Sequence, residues 1–146
     1  MFKLRRILNN HNNAAEIEKY PVSQDSYGIN GSIYIMILGE LTSTVPKYTT
    51  DCTYYVACGN VDLADTDREV RCVRVTPDMV FEVFCPTRIT KGAQFELVQP
   101  TAINGYDTIK QATVSSERVD GYVVDIISDS TGGTTALVRF HCIKQS

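Results

Sequence analysis

Side chains that could do chemistry are few and scattered in this chain. It has two histidines and five cysteines, an odd number without a C-x-x-C pair. His141 alternates with Cys142 in a strand-like segment, so the two side chains point to opposite faces and cannot form a nucleophile–base pair. A structural zinc site usually needs two close pairs of Cys or His ligands, and only Cys52 and Cys58 lie near one another. We predict no metal, no cofactor and no enzymatic activity.

The carboxylates and glycines also lack the motifs that would give them a chemical role. Residues 60–69 are acidic, but they lack the glycine and the terminal glutamate of an EF-hand loop, so a solvated loop is predicted. Gly132 and Gly133 fit a hairpin turn and not a phosphate-binding loop. These patterns therefore indicate neither a cation site nor a nucleotide site.

Short apolar runs separated by turn residues make up most of the chain after residue 31. Gly121 is expected at a bulge or a place of close packing. Seven or eight short strands at regular spacing predict an all-β fold, either a small β-barrel or a sandwich. The predicted strands cover residues 32–38, 53–58, 70–75, 79–85, 94–98, 110–114, 118–127 and 134–143.

The length and charge of the chain narrow the classes of partner. A chain of 146 residues is expected to form one domain. Its net charge of −3 argues against nucleic acid as a partner. No apolar segment approaches the ~18 residues of a membrane span, and the N-terminal segment has no apolar core of a secretory signal, so we predict a cytosolic protein without a membrane partner.

The first thirty residues differ from the rest of the chain in composition and in apolar pattern. They hold five of the seven asparagines and no sustained apolar period, although residues 2–8 fit a short amphipathic helix or turn. We predict an extended N-terminal arm at residues 1–30 and a β body at residues 31–146, and we expect a protein lacking residues 2–20 to fold but to lose its partner. The predicted contact residues are Phe2, Lys3, Leu4, Arg5, Arg6, Ile7 and Leu8 in the arm, and Tyr48, Tyr54 and Tyr55 on the body.

Three segments together resemble a known class of virion protein. The opening MFKLRRILNN, the passage through Pro21 into the strand at residues 32–38, and the closing GTTALVRFHC resemble the decoration, or auxiliary head, proteins of tailed bacteriophages. The resemblance implies a β domain assembled in the host cytoplasm that binds the outer capsid surface and stabilises the head. It implies the major capsid protein as partner, with further copies of the chain as a second one, and no catalytic residues.

Two other functions fit the same sequence. A β-barrel module that binds carbohydrate or single-stranded nucleic acid would show an exposed aromatic groove with converging Arg and Lys side chains. A small cysteine-dependent enzyme would place a cysteine sulfur within hydrogen-bond reach of His141.

Overall fold

The fold consists of β-strands joined by turns. The computed structural model of the protein describes residues 1–8, 17–23, 29–37, 39–42, 53–60, 68–98, 107–116 and 119–141. These residues contain eleven strands and no helix, which confirms the all-β prediction, although the strands outnumber the seven or eight expected. The strands are β1 (Lys3–Ile7), β2 (Ile17–Pro21), β3 (Ile33–Ile37), β4 (Glu40–Thr42), β5 (Tyr54–Ala57), β6 (Glu69–Arg74), β7 (Met79–Cys85), β8 (Gln94–Val98), β9 (Thr108–Gln111), β10 (Gly121–Ser130) and β11 (Gly133–Phe140).

The strands form two antiparallel sheets arranged as a sandwich. One sheet has six strands in the order β1-β7-β11-β10-β8-β9, and the other has five in the order β2-β6-β5-β3-β4. Inward-facing side chains of both sheets share one core, to which the five-stranded sheet contributes Ile35 and Val56 and the six-stranded sheet contributes Phe81 and Val138. The alternation of inward and outward residues along each strand produces this shared core.

The ring of Phe140, at the end of β11, lies among four other aromatic rings in this core. Its centroid is 5.3 Å from that of Phe2, 5.0 Å from Tyr54, 5.7 Å from Phe81 and 5.6 Å from Phe95. The edge-to-face and tilted contacts are geometries that aromatic pairs prefer. Because Tyr54 belongs to the five-stranded sheet and the others do not, this cluster joins the two layers.

Two buried aspartates also join the layers, each placed just before a strand. The Asp107 carboxylate accepts a hydrogen bond from the backbone nitrogen of Ile33 at 2.9 Å. The Asp120 carboxylate accepts hydrogen bonds from the Tyr54 hydroxyl and, at 2.8 Å, from the backbone nitrogen of Leu97. Burial raises the pKa of Asp107 to about 6. Buried carboxylates need such partners, because an unpaired one is costly in an apolar interior.

The five-stranded sheet is apolar on its second face as well. A separate cluster of buried side chains covers that face. Burial on both faces explains why residues 32–36 of the segment SIYIMIL, and the segment TYYVAC, are near-continuous apolar runs and do not alternate. The cluster consists of Val22, Tyr34, Leu41, Tyr55, Ala57, Val70 and Cys72, with Tyr20 and Met36 packed against it.

Most of the described residues among the first thirty belong to strands of these two sheets. β1 pairs antiparallel with β7, and β2 pairs antiparallel with β6. Phe2 and Ile7 are buried in the core, with 2% and 7% of their surface exposed. The extended arm is therefore not confirmed, and the expectation of a helix or turn at residues 2–8 is wrong. The strand is the more stable conformation because its apolar side chains are buried against β7, whereas a helix this short has little stability of its own.

A β-bulge at Arg5 hides the strand pattern of β1 in the sequence. Leu4 lies opposite Phe81 and Arg6 lies opposite Val80, so Arg5 is an extra residue without an opposite partner. Because of this extra residue, Leu4 and the next inward side chain are three positions apart and not two. The sequence spacing therefore resembles a helical repeat, although the backbone is extended.

Close backbone packing occurs at Gly121, as its position in a strand-like segment predicted. A Cβ atom there would lie 2.1 Å from the carbonyl oxygen of Arg139 and 2.7 Å from the Phe95 ring. Neither neighbour can move away without separating β10 from the strands beside it. Glycine is therefore required by space at this position.

Candidate partner-binding surface

The outward side of β1 and the adjoining part of β7 form an exposed surface that we call the β1 surface. Its side chains are those of Lys3, Arg5, Arg6, Glu82 and Phe84. β1 is the first strand in the six-stranded order, and no other described strand pairs with its outer edge. An edge strand presents backbone groups that another extended chain can bind, and charged side chains on such an edge restrict which chains do so.

The charges of the β1 surface leave it positive. The Arg5 guanidinium donates to one carboxylate oxygen of Glu82 through Nε at 3.2 Å and through Nη2 at 2.5 Å. Lys3 and Arg6 make no ion pair within the described residues, so three cations face one carboxylate and the net charge is +2. Because the surrounding chain is acidic overall, this patch is a local exception that would attract an acidic partner.

An open cavity of about 410 Å³ lies beside the β1 surface. It lies where the two ends of the six-stranded sheet approach each other, since Lys3 of β1 and Thr108 of β9 both line it. The backbone nitrogen of Met1 donates to the Asp107 carbonyl oxygen at 2.6 Å, which holds these ends together. The lining residues are Met1, Lys3, Glu82, Val83, Phe84, Thr108 and Thr135.

The predicted contact residues of the N-terminal segment divide into two groups. Lys3, Arg5 and Arg6 are exposed, whereas the apolar residues turn toward the interior. Phe2 and Ile7 are buried, and Leu4 and Leu8 are half-buried. The apolar group therefore fixes β1 to the core, and the basic group is left at the surface.

The predicted tyrosine contacts lie elsewhere. Tyr54 and Tyr55 are interior, with 4% and 7% of their surface exposed, so they present little area to a partner. Tyr48 lies outside the described residues. Phe84, which is not among the predicted contact residues, is 41% exposed. The sequence feature that could have identified Phe84 is the alternation of its strand, which places this aromatic residue on the outward face beside Glu82.

A second group, in which His141 is exposed and Tyr122 and Arg139 are half-buried, lies at the far end of β10 and β11. The ring centroids of Tyr122 and His141 are 5.5 Å apart, and the Arg139 guanidinium carbon lies 5.9 Å from the Tyr122 centroid. Arg139 is held in place because its Nε donates to the Pro77 carbonyl oxygen at 2.8 Å. The result is a small aromatic platform next to a cation.

The cysteines of the described residues show no sign of activation. No hydrogen bond joins a described cysteine to His141. Burial raises the pKa of Cys58, and it raises the pKa of Cys72 to about 12. A nucleophilic thiol requires the opposite shift, toward the thiolate at neutral pH. The geometry of the described cysteines therefore does not support a catalytic thiol, whereas Cys52 and Cys142 lie outside the described residues.

The described residues offer neither a cluster of metal ligands nor a membrane-spanning helix. Within the described ranges, no group of three or more His, Cys, Asp or Glu side chains could hold a metal ion. In the same residues, no helix has the length and hydropathy of a membrane span. No protein-family model and no curated protein matches the chain.

Proposed function

We propose that the protein is a structural virion component that binds the outer surface of a phage capsid lattice through its β1 surface and stabilises the head. The major capsid protein would be its partner. The observation that carries this proposal is the β1 surface, of net charge +2, whose edge strand is held to the core by buried side chains. The sequence resemblance suggests the class of partner, and the exposed charge of the β1 surface supports it as the place of contact.

The packing of β1 suits a mechanical role. Phe2 and Ile7 hold the strand in the sheet before any partner arrives, so binding does not have to order a loose segment. Lys3 and Arg6 steer an acidic surface toward the edge, and the backbone of the strand can then add main-chain hydrogen bonds. Such contacts are individually weak, but a lattice repeats them by symmetry.

Co-sedimentation with intact phage heads from the same source tests the proposal. The wild-type protein should pellet with the heads, and Arg6→Glu should weaken binding because it reverses a charge on the β1 surface. Lys19→Glu is the matched control, since it makes the same charge change on β2 in the other sheet. A wild-type protein that stays in the supernatant would contradict the capsid role. Equal binding of the two variants would contradict the contact through β1.

The platform at Tyr122 favours a second candidate, a module that binds single-stranded nucleic acid or carbohydrate. Bases and sugar rings stack on exposed aromatic rings, and Arg139 would supply a cation beside them. Fluorescence anisotropy with a labelled oligothymidylate or an oligosaccharide, comparing wild type with Tyr122→Ala, tests this function. Binding by the wild type that is lost in Tyr122→Ala would support this second function. Absence of binding by the wild type would exclude these probes as ligands.

A further inference from the structure

We propose that the cavity beside β1 receives an extended acidic segment of the partner protein, with an apolar side chain in the cavity and a neighbouring carboxylate on Lys3. This inference rests on the proposed function, because it names the chemistry of the capsid segment that the β1 surface would bind.

The cavity has the size and lining for one or two apolar side chains. Its volume of about 410 Å³ falls within the range of specific binding pockets. Phe84 and Met1 line it while remaining 41% and 39% exposed, so both would lose further apolar surface to water when the cavity fills. Exposed apolar side chains of this size at a concave place are typical of contact sites.

The charges around the cavity select an acidic segment. Lys3 and Glu82 both line the cavity, but the carboxylate of Glu82 is already paired with Arg5. Lys3 therefore supplies the uncompensated charge at the cavity wall, and Arg6 lies further along the same edge. A segment with carboxylates next to its apolar side chain would meet both cations, whereas a basic segment would be repelled.

The strand pattern around the cavity selects an extended segment. β1 pairs with β7 only from Met79 to Glu82, whereas β7 continues to Cys85. Beyond Glu82, no described strand pairs with that side of β7, and the wall opposite is formed by Thr108 of β9. β9 lies too close to β7 for a paired strand to enter between them, so the segment would run across the open mouth of the cavity. An extended peptide suits that path because it can place alternate side chains in the cavity and in solvent.

A titration with synthetic peptides, followed by amide chemical shifts of the whole protein, tests the inference. The first probe is a decapeptide that alternates aspartate with leucine or phenylalanine, and the second replaces each aspartate with lysine. We expect the acidic peptide to shift the amides of Lys3, Phe84 and Thr108, and the basic peptide to leave them unchanged. No shift at about 1 mM acidic peptide, or equal shifts with both peptides, would overturn the inference.

Three variants locate the contact. Lys3→Glu and Phe84→Ala should each weaken the acidic peptide about tenfold, by charge reversal and by lost apolar contact respectively. Lys19→Glu is the matched control and should bind as wild type. All positions are exposed, so thermal unfolding should show that the variants fold. Wild-type affinity in both Lys3→Glu and Phe84→Ala would place the peptide elsewhere and overturn the inference.

Two further experiments are needed. One distinguishes a protein segment from a small carboxylate as the ligand, and the other distinguishes a failure of this inference from a failure of the proposed function. Decanoate, a free single-chain carboxylate, is the small-molecule probe, and tighter binding of decanoate than of the peptide would overturn a protein segment as occupant. Phage heads that bind Lys3→Glu and Phe84→Ala as well as wild type would defeat this inference but leave the capsid role standing. If the protein binds the peptide at the cavity but does not bind phage heads, the capsid role would be contradicted and the cavity would still be a site for an acidic segment.

Discussion

The phenyl ring of Phe2 lies in the centre of the core. Removing it measures how much the N-terminal segment contributes to the free energy of unfolding. The ring is 2% exposed, and its centroid is 5.3 Å from that of Phe140 and 6.3 Å from that of Phe81. Replacing a buried phenylalanine with alanine removes its contacts and leaves a cavity that neighbouring rings fill only in part. We therefore expect Phe2→Ala to lower the free energy of unfolding by about 3–5 kcal/mol.

This loss is large for a domain of this size. Domains are stable by about 5–15 kcal/mol in total, so the variant would lose a substantial share of its stability. The unfolding entropy of 146 residues is about 0.3 kcal/mol per kelvin, so the midpoint of thermal unfolding should fall by about 10–16 °C. Urea titration followed by circular dichroism gives the free energy, and a thermal scan gives the midpoint.

Phe84→Ala is the control because it removes the same side chain from a position that is 41% exposed. It should cost no more than about 1 kcal/mol. A Phe2→Ala variant within about 1 kcal/mol of wild type would refute the placement of Phe2 in the core. The same reasoning reverses the expectation for a protein lacking residues 2–20. Such a protein loses β1 and Phe2, so it should be strongly destabilised and not merely unable to bind.

Three other perturbations test separate features of the fold. Burial raises the pKa of Asp107 to about 6, above the unfolded value, so the free energy of unfolding should fall by about 3 kcal/mol in total as the pH rises from about 3 to 7. Asp107→Asn should flatten this dependence in urea titrations at several pH values. Gly121→Ala should lower the free energy of unfolding by at least about 1–3 kcal/mol, whereas Gly59→Ala, where a Cβ meets nothing within 4 Å, should cost less in the same assay. Mass spectrometry after brief iodoacetamide treatment should find Cys58 alkylated in the native protein and Cys72 alkylated only after unfolding, and equal labelling would contradict the burial of Cys72.

The body of the sandwich could be predicted from the sequence because its strands are bounded by turn residues. β7 and β8 begin and end where the apolar runs do, at residues 79–85 and 94–98. Gly121 was also predicted, since a glycine inside a strand pattern usually marks close packing. These features depend on local spacing, which a single sequence displays.

The N-terminal strands and the candidate site depend on contacts that a sequence does not display. β2 has the sequence IEKYP and is mostly exposed, so little apolar alternation marks it as a strand. It forms because its backbone pairs with β6, which lies about fifty residues further along the chain. Phe84 could be recognised as outward-facing, but its proximity to Lys3 follows from the pairing of β1 with β7. Long-range pairing was therefore the missing information in both cases.

The bulge at Arg5 allows β1 to show more charge than a regular strand of its length could. Between the inward residues Leu4 and Ile7, a regular alternation has room for one outward side chain, and the bulge provides two arginines. Deleting Arg5 would restore the alternation and keep both apolar residues facing inward, while removing the partner of Glu82. The strand can therefore change its charge by the gain or loss of a single codon without changing its packing, which gives this edge an unusual freedom to follow changes in a partner.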